Sequence, residues 1–269
     1  MTDSKEHKQR RGIYLLPNLF TTAALFGGFF AILASMNGNF EHAAMAIFVA
    51  MILDGLDGRV ARMTNTQSNF GAEYDSLADM VSFGLAPSLV VYQWALTDLG
   101  KAGWLAAFVY TAGTALRLAR FNTQIGIADK RYFQGLPSPA AAAIMAGTVW
   151  VGVDNQIAGN DIGLLAAFVS VAAGLLMVSN VRYHSFKEIG FRDKVPFFMM
   201  VVIMLGFAIV LLQPPLVLFL VFMGYAVSGP VFTVLKLKQH REERQKALLE
   251  EAKADSDLVE ADHSTKKND

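Results

Sequence analysis

The chain contains no cysteine. That excludes a disulfide framework, a thiolate metal site and a cysteine nucleophile. Charge is scarce as well. Asp, Glu, Lys and Arg make up 17% of the 269 residues, against about 25% in an ordinary soluble domain. The five histidines (His7, His42, His184, His240 and His263) are scattered through polar segments, with no HExxH or Cys/His spacing. This argues against a zinc site and against a Ser-His nucleophile pair. No whole-chain repeat is visible. Net charge is zero, and no nucleic-acid partner is expected.

What the chain has in abundance is apolar length: 54% of its residues are hydrophobic. Eight apolar segments, at 13–36, 43–62, 71–97, 103–122, 137–153, 162–179, 195–212 and 216–235, approach the roughly 20 residues that a membrane span needs. The first is too long for a signal-peptide core and is followed by no small-residue cleavage site, so it is expected to stay as a span. The expected fold is an all-α polytopic membrane bundle of about eight transmembrane helices. Residues 1–12 form a polar N-terminal segment, 13–235 the membrane domain, and 236–269 a charged tail that starts helical and ends too polar to fold alone. With eight alternating spans, Lys101 alone of the 23 Lys and Arg falls on the side opposite both termini. The positive-inside rule then places both termini in the cytoplasm.

Against this background the stretch 53–87, LDGLDGRVARMTNTQSNFGAEYDSLADMVSFGLAP, stands out. It carries Asp54, Asp57, Asp75 and Asp79 at the ends of two adjacent spans, and acids at membrane depth mark function by default. Asp54 and Asp57 are three apart on one helix face, which Gly58 and Ala61 continue. Gly71, Asp75 and Asp79 recur at four-residue spacing on the next helix, while the spacing of Glu73 points it away. A short loop makes the two helices antiparallel neighbours, so all four acids reach one membrane face. Acids this close repel unless cations compensate. Hard divalent ions, Mg²⁺ or Mn²⁺, take carboxylate ligands and keep positions open for phosphates. Two such ions suit phosphoryl transfer. Arg62, one turn on, can hold a phosphate oxygen. Solvated helix-end acids, proton relays and ion channels also place carboxylates at such depths, but they do not require the Gly/Ala face.

Asp54-x-x-Asp57-Gly58-x-x-Ala61-Arg62, eight residues, then Gly71-x-x-x-Asp75-x-x-x-Asp79 resembles the motif of the CDP-alcohol phosphotransferase family at every fixed position. The flanks, Asp75-Ser-Leu-Ala-Asp-Met-Val-Ser-Phe-Gly-Leu-Ala-Pro87, Arg117-Leu-Ala-Arg-Phe-Asn122 and Phe133-Gln-Gly-Leu-Pro-Ser-Pro139, are similar to its phosphatidylserine synthase branch. The resemblance runs from Pro17 to about Ala143; beyond that it rests on hydropathy. It implies transfer of a phosphatidyl group from CDP-diacylglycerol to L-serine with release of CMP, at a bacterial inner membrane. By the same resemblance, Asp54, Asp57 and Asp75 would bind one divalent ion, and Asp54, Asp75 and Asp79 would bind or line a second, with Asp79 also as general base. Gly58 and Ala61 would lie against the nucleotide, Arg62 on the diphosphate and Gly71 near the cytidine. Asn18 and Thr21 match a first-helix Asn-x-x-Thr that reaches the nucleotide or diphosphate in relatives, and Ser68 falls where some relatives place another CDP contact. Relatives are often homodimers, and a homodimer is the corresponding expectation here.

Serine as the acceptor is what the resemblance implies; the residues offer candidates for holding it. Serine carries a carboxylate, and Arg117 and Arg120, three apart at the cytoplasmic end of a span, can bind it; as positive-inside anchors they can equally snorkel to headgroups. Asn122, Lys130, Arg131 and Gln134 are weaker candidates of the same kind. Residues 123–136 can form a cytoplasmic lid, with Gly126 and Gly135 as flexible points. Glycerol 3-phosphate or inositol phosphate as acceptors are dianionic and demand a denser basic pocket. A cation transporter is the alternative from another class. It predicts metal flux and no release of CMP.

Overall fold

The computed structural model describes residues 15–64, 66–123, 132–184 and 197–235, together with 238, 241 and 244. The N-terminal segment 1–12, most of the tail, and Gly126, Lys130 and Arg131 lie outside the described residues. Eight helices are present among those described. They are α1 (Leu15–Met36), α2 (Phe40–Thr64), α3 (Asn69–Leu99), α4 (Lys101–Thr123), α5 (Ser138–Asp154), α6 (Gly163–Val178), α7 (Phe197–Leu212) and α8 (Pro214–Leu235). A two-stranded antiparallel ribbon, absent from the all-α expectation, joins β1 (Tyr132–Gln134) to β2 (Arg182–His184), with Phe133 opposite Tyr183. Segments this short have no periodicity to read.

The helix ends follow local chemistry. At the end of α1, Gly38 takes φ 75. Its N–H donates to Ser35 O at 3.0 Å, and the Asn39 N–H donates to Ala34 O at 2.9 Å. This glycine-terminated double bond closes the α1–α2 hairpin. At the start of α3, Ser68 caps the helix by accepting from the Gly71 N–H at 3.0 Å. The polar terminal turns of α2 and α3 continue the helices past the apolar limits at residues 62 and 71. Hydropathy marks the lipid-embedded part of a helix, whereas its caps mark the end.

Helix α3 widens into π-helix at Met80–Leu85 and Tyr92–Leu96. Pro87 sits just beyond the first of these. Proline lacks the N–H that an α-helix would direct at the carbonyl four residues earlier, and its ring clashes there. That carbonyl, Phe83 O, accepts from Tyr110 Oη of α4 at 2.8 Å. The π turn therefore lets the helix pass a proline, and a neighbouring tyrosine partners the displaced carbonyl.

Packing is inside-out relative to a soluble protein. Many buried positions are small: Ala140 to Ala143, Ala146 and Gly147 of α5 are all buried. Large apolar side chains such as Leu19, Phe26, Phe29, Phe168 and Leu212 face outward. Lipid is as apolar as leucine, so helices associate through close contact of small residues. A methyl at Gly28 would lie 2.6 Å from the Ser82 Cα, and one at Gly113 would lie 2.6 Å from the Gly174 carbonyl oxygen. These contacts lock α1 to α3 and α4 to α6.

Among the described residues, four helices are long and apolar enough to cross a membrane: Leu16–Met36, Asn69–Leu99, Gly159–Val178 and Pro214–Leu235. The chain is thus a multi-pass membrane protein. The others fall short of that standard individually. Helix α5 has 17 residues, and α7 has 16, with almost every described side chain exposed.

Candidate active site

Asp54 and Asp57 project from the last turns of α2, and Asp75 and Asp79 from the first turns of α3. One carboxylate oxygen from each of Asp54, Asp57 and Asp75 lies within 4.8 Å of the other two. Asp57 is 5% exposed and accepts from Thr21 Oγ1 of α1 at 2.7 Å. The carboxylates of Asp57 and Asp75 come within hydrogen-bonding reach of each other, as do those of Asp54 and Asp79. Asp75 Oδ1 is buried and accepts from no described residue. Glu73 is exposed on the other face. Clustered carboxylates whose oxygens are short of donors fit a hard divalent cation, with three aspartates supplying oxygen ligands and Thr21 orienting one of them.

Beside the acids lies a cavity of about 220 Å³ between α1, α2 and α3. Asp57 and Asp75 line it, and so do Asn18, Thr21, Gly58, Ala61, Arg62, Ser68 and Gly71. Pro17, Thr66, Gln67 and Ala72 complete the lining. The motif does not flag these four. Thr66 and Gln67 fall in its eight-residue spacer, where spacing carries no signal. Thr66 is nonetheless buried, its hydroxyl 2.7 Å from that of Thr64. A methyl at Gly58 would meet nothing closer than Arg62 Nη1 at 3.6 Å, so this position opens onto free space. A methyl at Gly71 would lie 3.2 Å from Ser68 Oγ and 3.6 Å from Asn18 Oδ1, so the cap and the first helix leave no room for a side chain.

The arginines of α4 part company. Arg120 donates through Nη2 to Val178 O at 2.8 Å and through Nη1 to Ser179 O at 3.4 Å. It caps the C-terminus of α6, where a cation is favoured by the helix dipole. Asn122 holds α3: its amide Nδ2 lies 3.0 Å, and its Oδ1 3.2 Å, from Ser76 Oγ. Arg117 donates through Nη1 to Ser138 Oγ of α5 at 2.6 Å. Its Nε is buried and has no described partner. Gly135 is fixed by its surroundings. It is buried with φ 78, and a methyl there would run into Met177 O. Its N–H donates to Val181 O at 2.8 Å.

The profile of the family described as CDP-alcohol phosphatidyltransferase matches residues 14–178. The chain belongs to the CDP-alcohol phosphatidyltransferase family. The matched region contains the four aspartates, the cavity and both α4 arginines. Among curated relatives, the CDP-diacylglycerol–serine O-phosphatidyltransferase of Helicobacter pylori (strain J99) is 40% identical over 232 residues, 84% of this chain and 94% of the relative. The protein of the same description from Mycobacterium tuberculosis (strain H37Rv) is 33% identical over 229 residues, 82% of this chain and 79% of the relative. An archaetidylserine synthase of Methanothermobacter thermautotrophicus is 33% identical over 170 residues, 62% of this chain and 69% of the relative. As a CDP-alcohol phosphatidyltransferase the chain is an enzyme, a membrane transferase of phospholipid biosynthesis.

Proposed function

We propose that the enzyme transfers the phosphatidyl group of CDP-diacylglycerol to the hydroxyl of L-serine, giving phosphatidylserine and CMP. The observation that carries this reading is the convergence of Asp54, Asp57 and Asp75, two of which, Asp57 and Asp75, line a cavity together with Asn18, Gly58, Arg62 and Gly71. The names of the similar proteins from Helicobacter and Mycobacterium support serine as the acceptor.

In this reading the cavity takes the CDP head. Gly58 and Ala61 leave space for the nucleotide, Gly71 lies by the cytidine, Ser68 and Asn18 offer polar contacts, and Arg62 grips a diphosphate oxygen. Asp54, Asp57 and Asp75 would hold one Mg²⁺ or Mn²⁺, and Asp54, Asp75 and Asp79 would hold or line a second. When bound, these ions supply charge neutralisation on the diphosphate and on departing CMP. Serine's hydroxyl is a poor nucleophile. Asp79 takes its proton as the new oxygen–phosphorus bond forms, and the bond from that phosphorus to the CMP oxygen breaks. A single displacement needs no covalent enzyme intermediate.

The eight-span bundle belongs to the same reading. Residues 13–235 form one membrane domain, with 1–12, 236–269 and the acids on the cytoplasmic side of a bacterial inner membrane. The all-round apolar exposure of α7 suits lipid contact, and a homodimer follows by family analogy only. The acceptor is tested by incubating membranes containing the enzyme with CDP-diacylglycerol, Mn²⁺ and, in turn, labelled L-serine, glycerol 3-phosphate and inositol phosphate. Label entering lipid from serine alone is expected. Label from either phosphate and none from serine would sink the assignment.

A further inference from the structure

The cavity lies between α1, α2 and α3, and α1 reaches the other two helices through neighbouring threonines. Thr21 Oγ1 donates to Asp57 Oδ2 of α2 at 2.7 Å. The hydroxyl of Thr22 lies 2.9 Å from that of Tyr74 on α3. Consecutive helical residues point about 100° apart, so adjacent side chains can serve two walls. The Thr21 tie acts on a proposed metal ligand. The Thr22 tie touches none of the acids, and the cavity lining includes neither of its residues.

The direction of the second tie follows from counting protons. A threonine hydroxyl has one to give. That of Thr22 goes to Asn18 O at 2.7 Å, so Tyr74 Oη is the donor to Thr22 Oγ1. The bonds thus run in line from α3, through Thr22, to the backbone of Asn18. Asn18 lines the cavity, and its Oδ1 lies 3.6 Å from where a methyl at Gly71 of α3 would stand. The Tyr74 ring lies flat against Phe70, one turn earlier on α3, with centroids 6.0 Å apart and planes at 11°. Interfacial tyrosines commonly send their hydroxyls toward headgroups. This one sends it to a helix.

The seam between α1 and α3 shows what the bond holds. Away from the cavity the seam is closed by contact: Ser82 Oγ donates to Ala24 O at 3.0 Å, and Gly28 leaves no room for a methyl against the Ser82 backbone. On the cavity side of Ser82, Tyr74 to Thr22 is the only hydrogen bond between α1 and α3 among the described residues. We propose that Tyr74 is a positioning residue: its bond to Thr22 holds the start of α1 against α3, and so sets the spacing of Asn18 and Gly71 around the nucleotide of CDP-diacylglycerol. This rests on the cavity taking the CDP head. Thr21 and Thr22 then divide the task, one orienting a metal ligand and the other fixing the width of the cavity.

The test is steady-state kinetics of the full-length enzyme with L-serine and Mn²⁺. KM for CDP-diacylglycerol is compared with the inhibition constant of soluble CDP, which has the head and no acyl chains. Tyr74→Phe removes only the hydroxyl and should raise both constants by about threefold to tenfold, the usual worth of one neutral hydrogen bond. KM for serine and the Mn²⁺ concentration for half-maximal activity should stay within about twofold. Thr22→Val should act in the same way, and the double variant should be no worse than Thr22→Val alone. Thr22→Ser keeps the hydroxyl and should stay near wild type. Thr22→Val carries the test if Tyr74→Phe does not fold, as judged by size-exclusion chromatography. Unchanged constants in the folded variants overturn the tie. So does a rise in KM for CDP-diacylglycerol without one for CDP, which would put the pair against the acyl chains. An equal rise in KM for serine overturns it too, since that would mark a general packing role. A wild-type enzyme that CDP does not inhibit overturns the cavity reading, and the tie with it.

Discussion

Replacing Thr21 by valine probes the site through one hydrogen bond. Valine keeps the β-branched shape and loses the hydroxyl, so the packing of α1 is preserved while Asp57 Oδ2 loses its donor. The bond is 2.7 Å long and buried, and its acceptor is a proposed metal ligand. A hydrogen bond to a charged group is worth about 1.5–3 kcal/mol. If that energy orients the carboxylate toward the ion, its loss corresponds to roughly a 10- to 100-fold weaker metal site, the usual cost of removing a partner that orients a ligand. The assay is CMP release as a function of Mn²⁺ concentration. Thr21→Val should shift half-maximal activation upward by that factor and recover much of its rate at high Mn²⁺, while Thr21→Ser should stay near wild type. A Thr21→Val enzyme with the wild-type metal dependence but a raised KM for CDP-diacylglycerol would refute the reasoning, because Thr21 would then serve the nucleotide instead.

Other outcomes follow from the same geometry. Asp79→Asn should lower the transfer rate by about 10²- to 10⁴-fold with the protein still folded and inserted; substantial remaining activity would exclude Asp79 as base. Gly58→Leu fills free space beside the acids and should raise KM for CDP-diacylglycerol by about tenfold, measured with serine saturating. Tyr110→Phe strips the Phe83 carbonyl of its side-chain donor, so the folded state should lose about 1 kcal/mol, read as a lower denaturant midpoint in detergent.

The core of the site was legible because it is written in helical spacing. Asp54, Asp57, Gly58, Ala61 and Arg62 lie at intervals of one face, and so do Gly71, Asp75 and Asp79, and the two helices meet as a short loop requires. Asn18 and Thr21 were reachable only through the family resemblance, since hydroxyls and amides at the start of an apolar helix have bland explanations. Thr66 and Gln67 were invisible: they lie in a loop whose conformation, not its periodicity, brings them to the cavity. The fates of Arg117 and Arg120 could not be separated in sequence. Three residues apart they share a face, and only the positions of α5 and α6 decide that one meets Ser138 and the other a helix terminus. Tyr74 was hidden for the same reason, because its partner Thr22 comes from a distant part of the chain. The fold was legible as apolar helices and turns. The ribbon and the π turns around Pro87 depend on tertiary partners such as Tyr110 that no local pattern names.

The most direct test uses the purified enzyme in mixed micelles with CDP-diacylglycerol and radiolabelled L-serine, with and without Mg²⁺ or Mn²⁺. Phosphatidylserine and CMP should form in equal amounts when the cation is present and cease when a chelator removes it. Serine-free turnover to another lipid, or cation flux across liposomes with no CMP released, would contradict the assignment.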